Sequence, residues 1–470
     1  MAGEQEQPAR LSYFFGKGYA DLWNTIKGAW AENMNSVRMQ SAYITQYGLS
    51  SPQGLLHLVA LICIVVFGTV ITAVTSVIHI GVLVVCFCLV YIGFALLWLV
   101  DRVYIFFNKI NTACPNPNCQ ANFLIPVYEC PNCHVKHTRL VPSKYGILKR
   151  TCQCGAKLST TFLNGRGKLQ AYCPVCDSSL SGDTASRQLA VPIIGGISVG
   201  KTCYINMAVE QLLYSVAPTR NWEMRFIDDK ERNEHGDAMK ILSSGHRLPK
   251  TDLQALTAYQ MELNVPGDKI SRRLYVYDIA GEMFEQSSDI IENEAFKYAT
   301  GLIFMIDPLS LTGYAMEEAN RIKIDQYGAS PNDFEDILNT LIISLGKLFG
   351  LKEKDMLKRN MAVVINKVDI PGLGEKIGDS AVQTYKAAHP EVKTFADARD
   401  AVCRRFIDQY GGGSFTRMAE SKFKKVRYFT CSALGHNQEG VPYQGEHVIE
   451  PLLWVLSQED PKLKIKGIAA

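Results

Sequence analysis

From Met39 to Val100 the chain carries no Asp, Glu, Lys or Arg. A helix on the surface of a soluble protein needs a charged face to meet water, so this run restricts the fold sharply. Its most apolar part, residues 55–100, reads LLHLVALICIVVFGTVITAVTSVIHIGVLVVCFCLVYIGFALLWLV. One membrane crossing takes about 20 apolar residues, and the run is about twice that. The more polar patch Thr75-Ser76-Val77-Ile78-His79 predicts a tight turn. The expectation is a transmembrane hairpin with helices near 55–76 and 78–100. Trp98 and Tyr104 fall where amphipathic rings meet an interface, and Asp101 with Arg102 marks the end of the second span. A hairpin buried in a large soluble core is the alternative, opposed by the length of the uncharged run. The run starts after residue 50, too far along for a cleaved signal peptide.

Two crossings return the chain to its starting side. Arg10, Lys17, Lys27 and Arg38 precede the pair, Arg102 and Lys109 follow it, and the turn has no Lys or Arg. The positive-inside bias then places both termini in the cytoplasm. Within residues 1–50, Leu11, Phe14, Trp23, Ile26 and Trp30 recur at mixed helical spacings. An amphipathic helix on the membrane surface and a helix packed on the protein both fit that pattern. The whole chain, 470 residues with 49 basic and 46 acidic side chains, is long enough for several units and gives no polyelectrolyte signal, so no nucleic acid is implied.

Eight of the 14 cysteines fall between Cys114 and Cys176, as close pairs: Cys114 with Cys119, Cys130 with Cys133, Cys152 with Cys154, and Cys173 with Cys176. A short loop holding two thiolates is half of a tetrahedral zinc site. Four half-sites make two sites, so residues 112–182 are expected to form tandem zinc ribbons holding two Zn2+. Spacing leaves open which pairs combine. His134 and His137 are spare ligands expected at the surface. Disulfides would need an oxidising compartment, against the topology above, and iron–sulfur ligation is the other alternative. The role expected of the metal is structural, because so short a segment buries little core.

Residues 188–194 form a short apolar strand leading into Gly195-Gly196-Ile197-Ser198-Val199-Gly200-Lys201-Thr202, followed by a helical stretch from Cys203. This is G-x4-G-K-T in the strand–loop–helix setting that gives the pattern meaning. Gly195, Gly196, Ser198, Val199, Gly200 and Cys203 supply a backbone cradle for phosphates at a helix N-terminus. Lys201 reaches the β and γ phosphates and the Thr202 hydroxyl ligates Mg2+. A second strand ends in Asp278-Ile279-Ala280-Gly281, with Asp278 expected on Mg2+ and the Gly281 amide on the γ phosphate. A third ends in Asn366-Lys367-Val368-Asp369. The Asp369 carboxylate can accept two hydrogens from the guanine N1 and N2 edge, which adenine lacks. Asn366 bonds the purine edge and the Lys367 stem covers the ring. A fourth strand ends in Ser432-Ala433-Leu434, whose amides face the guanine O6. Strands near 222–227, 259–265, 274–278, 302–307, 362–366 and 426–430 alternate with helices near 333–348, 396–410 and 448–457, which predicts an α/β fold with a mostly parallel, doubly wound sheet. Residues 459–470 read as a polar, mobile tail.

The ordered set GGISVGKT, DIAG, NKVD and SAL resembles the TRAFAC class of P-loop GTPases over about residues 188–460. The combination of paired membrane spans, a cysteine-rich ribbon segment and a DIAGE-type GTPase is similar to the bacterial double-GTPase family, whose members are associated with predicted conflict or defence systems. The resemblance implies GTP/GDP and Mg2+ as ligands, slow hydrolysis, an inner-membrane location, and a protein effector, a second GTPase among the candidates; homo-oligomerisation is left open. Two departures stand out. Glu282 replaces the Gln that orients water in Ras-like enzymes, and the first switch offers Thr251, with Thr219 behind it, as its Mg2+-binding threonine. Arg247 or Lys250 is a candidate internal positive finger. The rival readings are a non-hydrolysing GTP-binding scaffold, a metal sensor with a decayed nucleotide fold, and an ATPase, the last opposed by Asp369.

Overall fold

The computed structural model describes residues 7–108, 110, 112–114, 119, 121–180, 186–249, 257–268, 270–279, 296, 299–318, 321, 327–352, 355–436, 438 and 440–465. It divides into two units, Met1–Lys109 with Leu124–Leu180 and Ile110–Phe123 with Ser181–Ala470.

The first unit starts with two helices. Helix α1 (Lys17–Tyr47) stops at Gly48, whose φ of +74° lets the chain reverse. Ser51 then caps helix α2 (Pro52–Phe107), its hydroxyl accepting from the Gly54 amide at 2.9 Å, with Pro52 in the first turn. α2 is a single helix of 56 residues, long and apolar enough to cross a membrane, with a π turn at Ile64–Gly68. The expected turn at residues 75–79 is therefore absent. Its polar side chains bond back into their own helix: the Thr75 hydroxyl donates to the Ile71 carbonyl at 2.8 Å and the Ser76 hydroxyl to that of Thr72 at 2.6 Å. Hydroxyls satisfied inside the helix leave no reason to break it. The chain reverses earlier, and α1 lies antiparallel along α2. Phe15 meets Tyr91 edge-on at 5.4 Å between centroids, Trp30 Nε1 donates to Ser76 Oγ at 3.0 Å, and Tyr47 stacks on His57 at 5.8 Å.

α2 also runs beyond the end expected for its apolar span. Asp101 is 2% exposed, its carboxylate accepting from the Phe162 amide at 3.0 Å and facing the buried Arg166 guanidinium at 3.2 Å. That contact joins α2 to the cysteine module. The module holds a four-stranded antiparallel sheet, with Val127–Glu129 between Lys136–His137 and Ala171–Tyr172, and Ser179–Leu180 at the far edge. A separate hairpin pairs Lys149–Thr151 with Lys157–Ser159. Residues before α1 add to it: Ala9 bridges Cys152 and the Arg10 amide donates to the Thr151 carbonyl at 2.9 Å.

The second unit is built on a seven-stranded mixed sheet. Its strands are β1 (Ser186–Gly195), β2 (Glu223–Phe226), β3 (Thr257–Asn264), β4 (Ser271–Asp278), β5 (Gly301–Ile306), β6 (Leu357–Ile365) and β7 (Phe423–Thr430), in the spatial order β2-β3-β4-β1-β5-β6-β7. Only β3 runs against the rest, pairing antiparallel with β2 and β4. The central strands read as unbroken apolar runs because both faces are covered. Val191, Ile193, Ile303 and Val364 face helices α3 (Lys201–Gln211), α4 (Asp229–Ser243) and α8 (Ile449–Glu459). Ile194, Phe304, Val363 and Ile365 face α5 (Phe334–Phe349), α6 (Phe395–Gln409) and α7 (Gly413–Lys422). The chain leaves β1 towards β4 on one side and returns to β5 on the other, so the crevice of a doubly wound sheet lies at the carboxyl end of β1.

The tail departs from expectation. Asp460 is 2% exposed and accepts from Arg272 Nε at 2.9 Å, and Leu463 and Ile465 are buried. A buried ion pair and two apolar anchors hold residues 460–465 against the domain; residues 466–470 lie outside the described set.

Candidate functional site

The loop between β1 and α3 has the geometry that its glycines permit. Gly200 has φ +94° and Ser198 φ +63°, turning the backbone tightly ahead of α3. A Cβ on Gly200 would lie 2.6 Å from Asn366 Nδ2, so a side chain there would displace the Asn366 amide. Lys201 is buried, and its ammonium donates to the carbonyls of Gly195 and Gly196 at 2.9 and 2.8 Å. The Thr202 hydroxyl donates to Asp278 Oδ2 at 2.7 Å, bringing the first residues of α3 against the last of β4. Burial pushes the Cys203 thiol pKa up, and a hydrogen bond with the Leu248 backbone pulls the other way, which places residue 248 on the start of α3.

The second cluster lies at the ends of β6 and β7. Asn366 Nδ2 donates to the Val199 carbonyl at 2.8 Å, while its Oδ1 accepts from the Ala433 amide at 3.0 Å. One side chain thus joins the phosphate-type loop to the segment after β7. Asp369 accepts from the Ser432 hydroxyl, which itself accepts from the Gly435 amide at 2.7 Å. Lys367, with φ +59°, turns back to the sheet and donates to Asp307 Oδ2 at 2.7 Å and the Gly328 carbonyl at 2.8 Å. Leu434 follows, part-buried against the core.

Lys201, Thr202, Asp278, Asn366, Lys367, Asp369, Ser432 and Ala433 therefore gather at the carboxyl ends of β1, β4, β6 and β7. Lys250, Thr251, Gly281 and Glu282 lie outside the described residues. Thr219 is not at the site: it follows the far end of α3, with its hydroxyl bonded to the Ser215 carbonyl at 2.7 Å. Arg247 is exposed on the segment after α4.

Several supporting residues escaped the sequence reading. Asp307 directly follows β5 and holds the Lys367 ammonium, the Leu309 amide at 3.0 Å and the Ser330 amide at 2.9 Å. Asn332 accepts from the Ile197 amide in the loop at 2.8 Å. Behind α3, Asn206 donates to the Thr202 carbonyl at 2.9 Å and accepts from Tyr259 at 2.9 Å, with His235 at 3.1 Å. The aspartate at a strand end was a readable signal; the asparagines were not, since their partners lie 29 to 135 residues away or in the backbone of their own helix.

In the cysteine module, the thiols of Cys130, Cys133, Cys152 and Cys154 lie within 4.8 Å of one another. Cys130 and Cys154 are 3.6 Å apart, as are Cys133 and Cys152. A tetrahedron with metal–sulfur bonds of about 2.3 Å has sulfurs about 3.8 Å apart, so the four thiols fit a zinc ion; a disulfide needs about 2.05 Å. The Ala156 backbone amide lowers the Cys154 pKa to about 7, favouring thiolate, whereas burial raises Cys152 to about 12. The second pair thus joins the third, all four within one unit. The Cys173 loop repeats the Cys130 loop: His134 and Asp177 have φ +58° and +61°, and their amides donate to the carbonyls of Cys130 and Cys173. His134 is exposed, as expected, but His137 is fully buried. It sits on a strand whose other residue, Lys136, faces water, and alternation turns it inward. Burial, with Arg150 nearby, drives its pKa down to about 4.

The model of the family described as Double-GTPase 2 matches residues 189–427. None of the curated proteins matches the chain. Among solved structures, the LeoA bacterial dynamin GTPase from ETEC is similar at 14% identity and a TM-score of 0.23, over 53% of this chain and 30% of that one. The chain thus spans less than a third of that relative.

Proposed function

The chain belongs to the Double-GTPase 2 family, and we propose that it is a membrane-anchored switch that binds GTP with Mg2+ and hydrolyses it slowly. The observation that carries this reading is the pair of hydrogen bonds of Asn366, donated to the Val199 carbonyl in the phosphate-type loop and accepted from the Ala433 amide in the segment after β7. It ties a triphosphate cradle to a purine-reading corner.

Backbone amides of residues 195–203 and the α3 N-terminus bind the phosphates. The Lys201 ammonium moves from the loop carbonyls to the β and γ phosphate oxygens. Thr202 and Asp278 offer hard oxygen donors, 2.7 Å apart, of the kind Mg2+ prefers. When bound, Mg2+ supplies charge to neutralise the transferring phosphate. Asp369 accepts from guanine N1 and N2, held in orientation by Ser432, and Lys367 covers the ring. Thr251 and Gly281 respond to the γ phosphate, and Glu282 orients the attacking water at some electrostatic cost. Two Zn2+ ions hold the cysteine module by the eight thiols named above, in a structural role.

α2 supplies the membrane anchor. Because α1 returns along it and Ala9 pairs with Cys152, the N-terminal segment and the cysteine module lie at the same end of α2. This supports both termini sharing the cytoplasmic side of the inner membrane. We assign the switch a protein effector, with a second GTPase the partner to test first; a role in bacterial conflict or defence rests on the family resemblance alone. The test is phosphate release from GTP by the full chain with Mg2+, at multiple turnover, and its loss in Lys201→Ala. Binding of GTP without turnover would instead mark a nucleotide-dependent scaffold.

A further inference from the structure

Building on the membrane reading of α2, we propose that the cysteine module carries a second membrane contact: a basic, leucine-tipped face that docks on anionic lipid headgroups beside the point where α2 leaves the bilayer. Charge is the first observation. Residues 124–180 hold eight Lys or Arg and two Asp or Glu. Both acids are already engaged, Glu129 with His134 and Tyr172, and Asp177 with Lys136. Arg150 and Arg166 are buried. Arg139, Lys149, Lys157 and Lys168 are exposed, and no carboxylate among the described residues pairs with them. In the hairpin, Lys149 lies opposite Ser159 and Lys157 opposite Thr151, so both lysines project from the face that alternates with inward Arg150 and Leu158.

Apolar exposure is the second. Leu148 and Leu163 are 53% and 62% exposed. They tip adjacent loops, since Asn164 Nδ2 and the Thr160 amide both donate to the Leu148 carbonyl at 3.1 Å. Lys149 follows one leucine directly and Lys168 closes the turn after the other. An apolar tip flanked by lysines suits a headgroup layer, where the leucine enters and the ammonium stays with phosphate.

Position is the third. Leu163 follows Phe162, whose amide is fixed to Asp101 of α2 at 3.0 Å. Asp101 lies less than one helical turn, about 5 Å, beyond Trp98, and Arg102 sits over the Trp98 ring at 5.5 Å. A tryptophan with an arginine at its end of an apolar helix is an interfacial pair. The buried Asp101–Arg166 contact prevents the module from swinging away. Continuity with the anchoring helix favours lipid over nucleic acid as the partner of the lysines.

The test is hydrogen exchange of the full chain in nanodiscs of phosphatidylcholine alone or mixed with phosphatidylglycerol. Each basic side chain at an anionic surface strengthens attachment about fivefold. Peptides covering residues 145–150 and 160–168 should exchange about tenfold more slowly in the anionic discs, and lose that protection in high salt and in the Lys149→Glu, Lys157→Glu, Lys168→Glu triple variant. These lysines are exposed, so the variant keeps its fold, checked by unchanged exchange elsewhere. A chain that leaves discs of both compositions overturns the membrane reading and this inference together. A chain that stays in both, with the two loops exchanging alike, overturns only this inference. So does protection of the loops by a soluble RNA duplex in neutral discs.

Discussion

The Asp101 carboxylate and the Arg166 guanidinium meet at 3.2 Å with almost no solvent access, at the junction between the long apolar helix and the cysteine module. Arg166 also donates to the carbonyls of Leu140 and Thr160 at 3.0 and 2.7 Å. Removing one partner of such a pair leaves a buried charge uncompensated, at about 3–5 kcal/mol. Asp101→Asn should therefore loosen the module from α2, seen as earlier proteolytic cleavage within residues 160–168, while Asp101→Asn combined with Arg166→Met should recover much of the loss. A single variant as resistant as the parent would show that the pair contributes little.

Base selection is expected to rest on Asp369. Asp369→Asn replaces a double acceptor with an amide and should weaken GTP binding about a hundredfold, with little change for ATP, in titration calorimetry. Ser432→Ala removes the hydroxyl that orients Asp369 and should cost about tenfold.

A residue outside the motifs should matter as well. Asp307→Asn leaves the Lys367 ammonium without its carboxylate, 2.7 Å away in the parent. The expected result is GTP affinity lowered by roughly tenfold, with the turnover of saturated enzyme unchanged. A fall in turnover at unchanged affinity would place Asp307 in the chemistry instead.

The cysteine module should lose metal in a stepwise manner. Metal analysis of Cys130→Ser is expected to find one zinc per chain in place of two, with exchange protection lost around Leu158 and Tyr128, both fully buried in the parent. Cys114 should remain metal-bound in that variant.

Glu231 gives the second unit a pH dependence. Burial raises its carboxyl pKa to about 7, although the Gln260 amide bonds to it at 2.6 Å. Between the ordinary carboxylate pKa near 4.5 and about 7, the folded protein holds a proton that the unfolded chain releases. Stability should thus fall as pH rises through that window, and Glu231→Gln should flatten the slope in thermal melts taken from pH 4.5 to 7.5.

Local pattern determined a good deal. G-x4-G-K-T needs a strand before it and a helix after it, and β1 and α3 supply both. The apolar runs of β5 and β6 announced strands covered on two faces. Paired cysteines announced metal half-sites because a loop of one to four residues brings two thiols together by itself. Each of these signals is complete within a few residues, so no distant contact was needed to read it.

Tertiary contacts decided the rest. Whether Thr75 and Ser76 broke a helix depended on hydroxyls reaching their own backbone and on Trp30 arriving from α1. Asp101 read as the edge of a span, and only Arg166, far along the chain, makes it a buried anchor. Which cysteine pairs combine, why His137 turns inward, and that Asp307 steadies Lys367 are likewise questions of partners brought near by folding. A charge or hydroxyl carries the same letter whether it meets water or a partner, and the free energy of burying it is set by that partner alone.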